Sequence, residues 1–210
     1  MNTLEKSILE TVTTNLRKAQ SEPVIDWTKY SIMLRHALDN NIAILDTLIK
    51  NPKMKIFFLK AAYLLGKESK CVSKKVGAII ALNQRIISTG YNGTPAGFVN
   101  CCDKFPHYDA DTQREEHHKF SLMYEIHGEM NAIAFAAKND IGIEGAEIYT
   151  ILQPCDDCLK NIIAAGIKKV YYVIPYDKSS TDNMLWDIID YEVVKDKELI
   201  EWIELQENNS

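Results

Sequence analysis

No stretch of this sequence approaches the about 20 apolar residues needed to cross a bilayer, which argues against a membrane protein. The first residues, MNTLEKSILETVTTN, lack the basic-then-apolar layout of a secretion signal, so an intracellular, cytoplasmic protein is expected. Lys and Arg never gather into a run. With 24 of them against 29 Asp and Glu, the net charge is -5, and the basic stripe that grips long nucleic acids by their phosphates is missing. Polymeric nucleic acid is thereby demoted as a partner. A single nucleotide, which needs only a few placed cations, remains open. Cysteines are few, five in 210 residues. In a reducing compartment they read as metal ligands or buried thiols, not as a disulfide framework. Internal repeats and low-complexity tracts are absent too, which removes solenoids and disordered linkers.

What is present is ordinary globular composition, 46% hydrophobic and 25% charged, enough for one domain with an appendage. The first fifty residues read as helical. Leu4, Ile8, Val12 and Leu16 share one face, and Leu34, Leu38, Ile42, Leu45 and Ile49 another, with Asn51-Pro52 closing the second run. His36, alone on this part, reads as a surface residue. We divide the chain into a helical N-terminal extension, 1–52, and a main domain, 53–210. A helix from Met54 to Gly66 is apolar nearly all round and is expected to be buried. VGAIIAL and RIIST, separated by Asn83-Gln84, predict a strand hairpin. GYNGTPAGFVNCCD predicts a loop, and the span from Lys104 to about Glu116 reads as polar and irregular. Strand and helix then alternate: a helix from His127, strand AEIYTIL, a helix from Cys155 to Ala165 with Gly166 at its end, and strand KKVYYVI. That order predicts parallel strands. MLWDIID and KELIEWIEL add helices, with YEVV as an edge strand.

Chemistry concentrates in two of these helix starts. Pro154-Cys155-Asp156-Asp157-Cys158 opens one helix, and thiols three apart there share a face that can grip one ion. The helix N-terminus also favours thiolate. Catalytic zinc takes three protein ligands and keeps a fourth position for water, and His127, at the start of the preceding helix, is the candidate third ligand. Glu129 lies two positions on. Side chains two apart diverge by about 200° on a regular helix, so the two can face one pocket only where the helix is just beginning. Glu129 therefore reads as a general acid/base, not as a fourth ligand.

The order H-x-E, then P-C-x-x-C, is the known signature of zinc-dependent nucleobase deaminases, and HGEMNAI and PCDDC look like its two halves. KKVGAIIALNQRIISTGYNGTPAGFVNCCD and the long span before His127 resemble deoxycytidylate (dCMP) deaminases, closest to the viral branch of the cytidine/deoxycytidylate deaminase family. The resemblance runs from about Ile56 to about Lys178. It implies a three-layer α/β/α cytidine-deaminase-like fold with a mixed sheet of about five strands. It implies hydrolysis of dCMP to dUMP by a zinc-activated water, with Glu129 moving the proton, in supply of thymidylate synthesis. It also implies dCTP as activator, dTTP as inhibitor, a homo-oligomer (a hexamer in the family) and, for a viral protein, the host cytoplasm.

Some members of that branch bind a second, non-catalytic zinc, and Cys71, Cys101 and His117 fit its pattern; Cys102, His118 and His107 are neighbouring alternatives. Such a site would pin a loop that otherwise has little to order it. For the substrate or an effector the resemblance points to Lys75, with Lys74 as alternative, Asn92 and Tyr176. Gly128 stands where alanine is usual, a change expected to be tolerated in a first turn. Gln153 precedes the Pro-Cys pair with no role assigned. The rival readings are a deaminase of dCTP or a modified dCMP, and a non-enzymatic zinc-binding assembly module.

Overall fold

The computed structural model describes residues 52–176 and 183–208. The expected helical extension, including His36, lies outside them. The described chain runs α1 (Pro52–Gly66), β1 (Gly77–Leu82), β2 (Arg85–Tyr91), α2 (Cys101–Lys104), α3 (Ala110–Tyr124), α4 (Gly128–Lys138), β3 (Glu147–Thr150), α5 (Asp156–Ala164), β4 (Lys169–Tyr172), a 3-10 turn (Met184–Asp187), β5 (Asp190–Val193) and α6 (Lys197–Asn208).

Asn83 and Gln84 both take positive φ, 50° and 61°, the two-residue geometry that matches the twist of an antiparallel hairpin. β1 and β2 pair antiparallel across that turn, with an irregularity between Ile80 and Ala81. β1 also pairs antiparallel with β3, while β3–β4 and β4–β5 are parallel, giving one mixed sheet in the order β2-β1-β3-β4-β5. The strand period of two then divides the core. Ile79, Ala81, Tyr149 and Tyr171 face a layer built from Phe58, Leu59 and Ala62 of α1 and Leu199 and Ile203 of α6. Ala78, Ile80, Ile148, Val170 and Tyr172 face Ala132 of α4 and Leu159 and Ile162 of α5. This is the expected three-layer α/β/α arrangement. Leu59, Ile80, Ile148 and Leu159 are fully buried, so truncating any one to alanine costs about 2–5 kcal/mol. Among the described residues no helix is long and apolar enough to cross a membrane.

Three expectations are corrected. The span after Lys104 is not irregular up to Glu116, because α3 begins at Ala110. Asp109 caps it by accepting from the Asp111 amide (2.9 Å), while Gln113 Oε1 accepts from the Asp109 amide in return (2.9 Å). Only His117 and Phe120 of that helix are buried, so its apolar period is too sparse to read. α1 is not buried all round, since Phe57 and Leu64 are each 53% exposed. One face meets the sheet, and an apolar composition cannot say which. MLWDIID makes a single 3-10 turn in place of a helix. Asn183 accepts from Leu185 N at 3.0 Å, and the chain leaves the turn at Ile188 to enter β5.

Candidate metal centre

Two helix starts build the first cluster. His127 is the N-cap of α4 and Cys155 the N-cap of α5, both with extended backbone (φ -66°, ψ 155° and φ -69°, ψ 167°). An N-cap side chain usually bonds the first free amides of its helix. Neither of these does, which leaves the imidazole and the thiol to point elsewhere. Their backbones still start the helices: His127 O accepts from Asn131 N and Cys155 O from Leu159 N, each at 2.9 Å. Because His127 stands outside the helical turn and Glu129 inside it, the divergence expected two residues apart does not apply.

His127 Nδ1 lies 3.4 Å from Cys155 Sγ and 3.3 Å from Cys158 Sγ. Zinc bonds to sulfur at about 2.3 Å and to nitrogen at about 2.1 Å, and tetrahedral bonds of those lengths leave S and N about 3.6 Å apart. The three donors thus fit a single zinc. The three side chains also shift one another's protonation. A hydrogen bond from Cys158 brings the Cys155 thiol down to about 4, and the same bond pushes Cys158 up. Hydrogen bonding to Cys155 raises His127 to about 9. Glu129 is 4% exposed, and burial raises its carboxyl above the ordinary range. It lies against Cys158 but is not one of the grouped donors.

A second cluster brings together Cys71, Cys101, His117 and Glu125, whose donor atoms all lie within 4.8 Å of one another. Cys71 Sγ is 3.5 Å from His117 Nε2 and 3.5 Å from Glu125 Oε2. Glu125 Oε1 is buried without a hydrogen-bond partner, an orphan that a cation would satisfy. Burial raises the Cys71 thiol, raises Cys101 to about 12, and lowers His117. Of the alternatives, His107 and His118 are exposed, and the Cys102 thiol turns to Asp103 Oδ1 at 3.7 Å. Sequence reasoning missed Glu125. Its spacing from His127, two residues, mirrors that of Glu129 on the other side and was the available signal.

The residues expected to meet substrate or effector divide. Lys75 is exposed, and its charge acts on Glu207 of α6. The Lys74 ammonium instead lies 4.3 Å from the centroid of the Tyr176 ring. Asn92 is buried and spends its carboxamide on the chain before β1, accepting from Val76 N and donating to Lys74 O, each at 2.8 Å. Gly128 is tighter than expected: a Cβ there would come within 2.7 Å of the Val76 carbonyl oxygen.

Residues 52–174 match the family model described as the cytidine and deoxycytidylate deaminase zinc-binding region. The chain is 45% identical over 160 residues to the deoxycytidylate deaminase of enterobacteria phage T4, covering 62% of this chain and 81% of that one. Against the deoxycytidylate deaminase of Saccharomyces cerevisiae it is 33% identical over 153 residues, covering 68% of this chain and 47% of that one. The crystal structure of dCMP deaminase from the cyanophage S-TIM5, in complex with dCMP and dUMP, superposes with a TM-score of 0.57 at 34% identity, over 69% of this chain and 98% of that one. The matched region contains both halves of the His-x-Glu and Pro-Cys-x-x-Cys signature, and the chain belongs to the zinc-dependent cytidine and deoxycytidylate deaminase family.

Proposed function

We propose that the protein hydrolyses dCMP to dUMP and ammonia, feeding thymidylate synthesis, with zinc held by His127, Cys155 and Cys158. One observation carries this reading: Glu129 is a buried carboxyl beside three metal donors and is not needed as a fourth. A structural zinc site has no use for such a group, so a purely scaffolding module is disfavoured. The choice of dCMP over other cytosine nucleotides draws on the phage relatives, one named a deoxycytidylate deaminase and one solved with dCMP and dUMP.

Bound zinc supplies a water acidified toward neutrality. Glu129 is placed to hold a proton beside that position and would pass it from the attacking water to the pyrimidine ring nitrogen next to the amine-bearing carbon. With the water oxygen bonded to that carbon, Glu129 would take the remaining hydroxyl proton and pass it to the amine, so that the C–N bond breaks, a carbonyl is left and ammonia departs. Burial raises the Glu129 pKa, which favours a carboxyl that can hold the proton between the two transfers. The first turn of α5 offers its free amides to the oxygen that develops negative charge.

Cys71, Cys101, His117 and Glu125 hold a second, structural zinc in this reading. Four donors close the coordination sphere and leave no position for water. Tyr176 lines the nucleotide pocket, and Lys74 displaces Lys75 as the cation for the 5′-phosphate, because it is the lysine that meets Tyr176. Asn92 contributes by fixing the Lys74 main chain. Residues 53–210 form the catalytic domain behind an appended 1–52, consistent with a family match beginning at residue 52. The working form is a cytoplasmic homo-oligomer, a hexamer by family resemblance, activated by dCTP and inhibited by dTTP. Light scattering on the purified protein tests the assembly.

The activity test follows ultraviolet absorbance with dCMP, dCTP, CMP and a modified dCMP, each with and without dCTP or dTTP as effector. A higher kcat/KM for dCMP is expected. Preference for another nucleotide would overturn the substrate, and no turnover of any would overturn the enzyme.

A further inference from the structure

Between β3 and the metal ligands the chain runs beside the exit of β4, and the two are paired there as parallel neighbours. Leu152 and Ile174 form an isolated parallel bridge, and Gln153 N donates to Ile174 O at 2.8 Å. In a parallel ladder the next rung would take the amide of the residue two beyond Ile174, Tyr176, to the main-chain oxygen of Gln153. Here the Tyr176 amide goes instead to the side chain, donating to Gln153 Oε1 at 3.0 Å. Pro154 and Pro175 flank this rung. The Gln153 carboxamide therefore replaces the last rung of the sheet, two residues before the ligand Cys155.

What that rung holds is one end of a connected path. The Tyr176 ring meets the Lys74 ammonium at 4.3 Å. Lys74 O accepts from Asn92 Nδ2, and Asn92 Oδ1 accepts from Val76 N. The Val76 carbonyl lies so close to Gly128 that a Cβ there would meet it at 2.7 Å. The path runs from the Cys155 side of the metal centre to the His127 side without using a metal ligand.

We propose that Gln153 is a positioning residue for the nucleotide pocket, acting through Tyr176: its side-chain carbonyl fixes the Tyr176 main chain and so sets the Tyr176 ring and the Lys74 ammonium at one spacing from the zinc ligands. This rests on the reading that Tyr176 and Lys74 touch the nucleotide. Gln153 itself need not touch it. The requirement at position 153 is an acceptor at the reach of a Gln side chain. Met has the length and no comparable acceptor, whereas Glu has the same reach with an acceptor.

The test measures Q153M, Q153E and Y176A in the zinc-loaded enzyme by two readouts. Amide hydrogen exchange at Tyr176 reports the bond directly, and steady-state kinetics with dCMP report its consequence. In Q153M, exchange at Tyr176 should quicken by about tenfold and KM rise about five-fold, the scale of one neutral hydrogen bond, with kcat within about twofold. Q153E should restore protection at Tyr176 and most of KM. Y176A should raise KM at least as much as Q153M. Unchanged exchange in Q153M overturns the proposal. So does a wild-type KM in Q153M while Y176A is impaired. A wild-type KM in Y176A overturns the placement of Tyr176 in the pocket and takes the proposal with it, while leaving dCMP turnover intact.

Discussion

The two cysteine-histidine clusters use nearly the same side chains and differ in what surrounds them. The first has three donors, two of them N-caps of α4 and α5, with a buried carboxyl beside them that is not a donor. The second has four donors, with three of its residues buried. Glu129 and Glu125 stand two residues either side of His127, yet only Glu125 is grouped with metal donors, and the proposed function gives Glu129 the open site and Glu125 the closed one. Their backbones explain the difference. Glu129 lies in the first turn of α4, while Glu125 is the C-cap of α3 and extended. Ile126 between them is held to Gly93 by two main-chain bonds, Gly93 N to Ile126 O at 3.1 Å and Ile126 N to Gly93 O at 2.9 Å. Residues 125–127 thus place a donor of the four-residue cluster, a main-chain bridge and a donor of the three-residue cluster side by side.

The largest way to break this comparison is Glu129→Gln. It keeps shape and removes the proton carrier, so turnover of dCMP should fall by about a thousandfold or more while zinc content stays at the wild-type level. An active E129Q enzyme would mean that the two carboxylates do not divide the work as described. Next is Cys71→Ser, which removes a donor from the closed cluster. Metal analysis should show one zinc fewer per chain, and denaturant melts should show a loss of about 3 kcal/mol or more, if the proposed second ion ties α2 to α3. If C71S keeps its stability and its zinc, the second cluster is a set of buried thiols and nothing more.

A third comparison concerns protons. At the open cluster near pH 7, Cys155 has already lost its proton, while His127, raised to about 9, and Cys158, pushed up, still hold theirs. At the closed cluster His117 is neutral, its pKa lowered by burial, and the protons sit on Cys71 and Cys101. Metal needs deprotonated ligands, so loading either site should release about two protons. Each unit of acidification below neutrality should then weaken binding by about a hundredfold. Titration of apo-protein with zinc in weak buffer and a pH indicator checks the count. Release of none at the open site would show that the thiolate and imidazolium form is not the resting one.

Much of this was legible in the chain. The hairpin at Asn83-Gln84, the alternation after His127 and the grouping of His127 with Cys155 and Cys158 follow from local chemistry: turn residues, a period, a spacing. α3 was not legible, because a helix that buries only His117 and Phe120 leaves no apolar stripe and announces itself only through Asp109 and Gln113. Glu125 was hidden for a related reason. A carboxylate at the end of an unread helix looks like any solvated acid. Gln153 and the choice between Lys74 and Lys75 were out of reach altogether, since each depends on which strand end lies alongside, and neighbours in space leave no mark on spacing.

The smallest effect should come from Gly128→Ala. A Cβ at 128 would sit 2.7 Å from Val76 O and 3.4 Å from Tyr91 Cα, and main-chain atoms cannot rotate aside. Val76 O also accepts from Asn92 N at 3.0 Å, so relieving the contact means moving a bonded strand edge or lifting the first turn of α4. Such crowding costs about 1–3 kcal/mol, and the gain in helix propensity from Gly to Ala returns up to about 1 kcal/mol. A net loss of about 1 kcal/mol is expected in denaturant melts. It should be joined by a fall in kcat, because the lifted turn carries Glu129 next to the ligand His127. The closed cluster shares no atom with that contact and should keep its zinc. If G128A lost metal from the closed cluster and kept its kcat, the strain would be running through Gly93 and Ile126 instead, and the two clusters would be mechanically one.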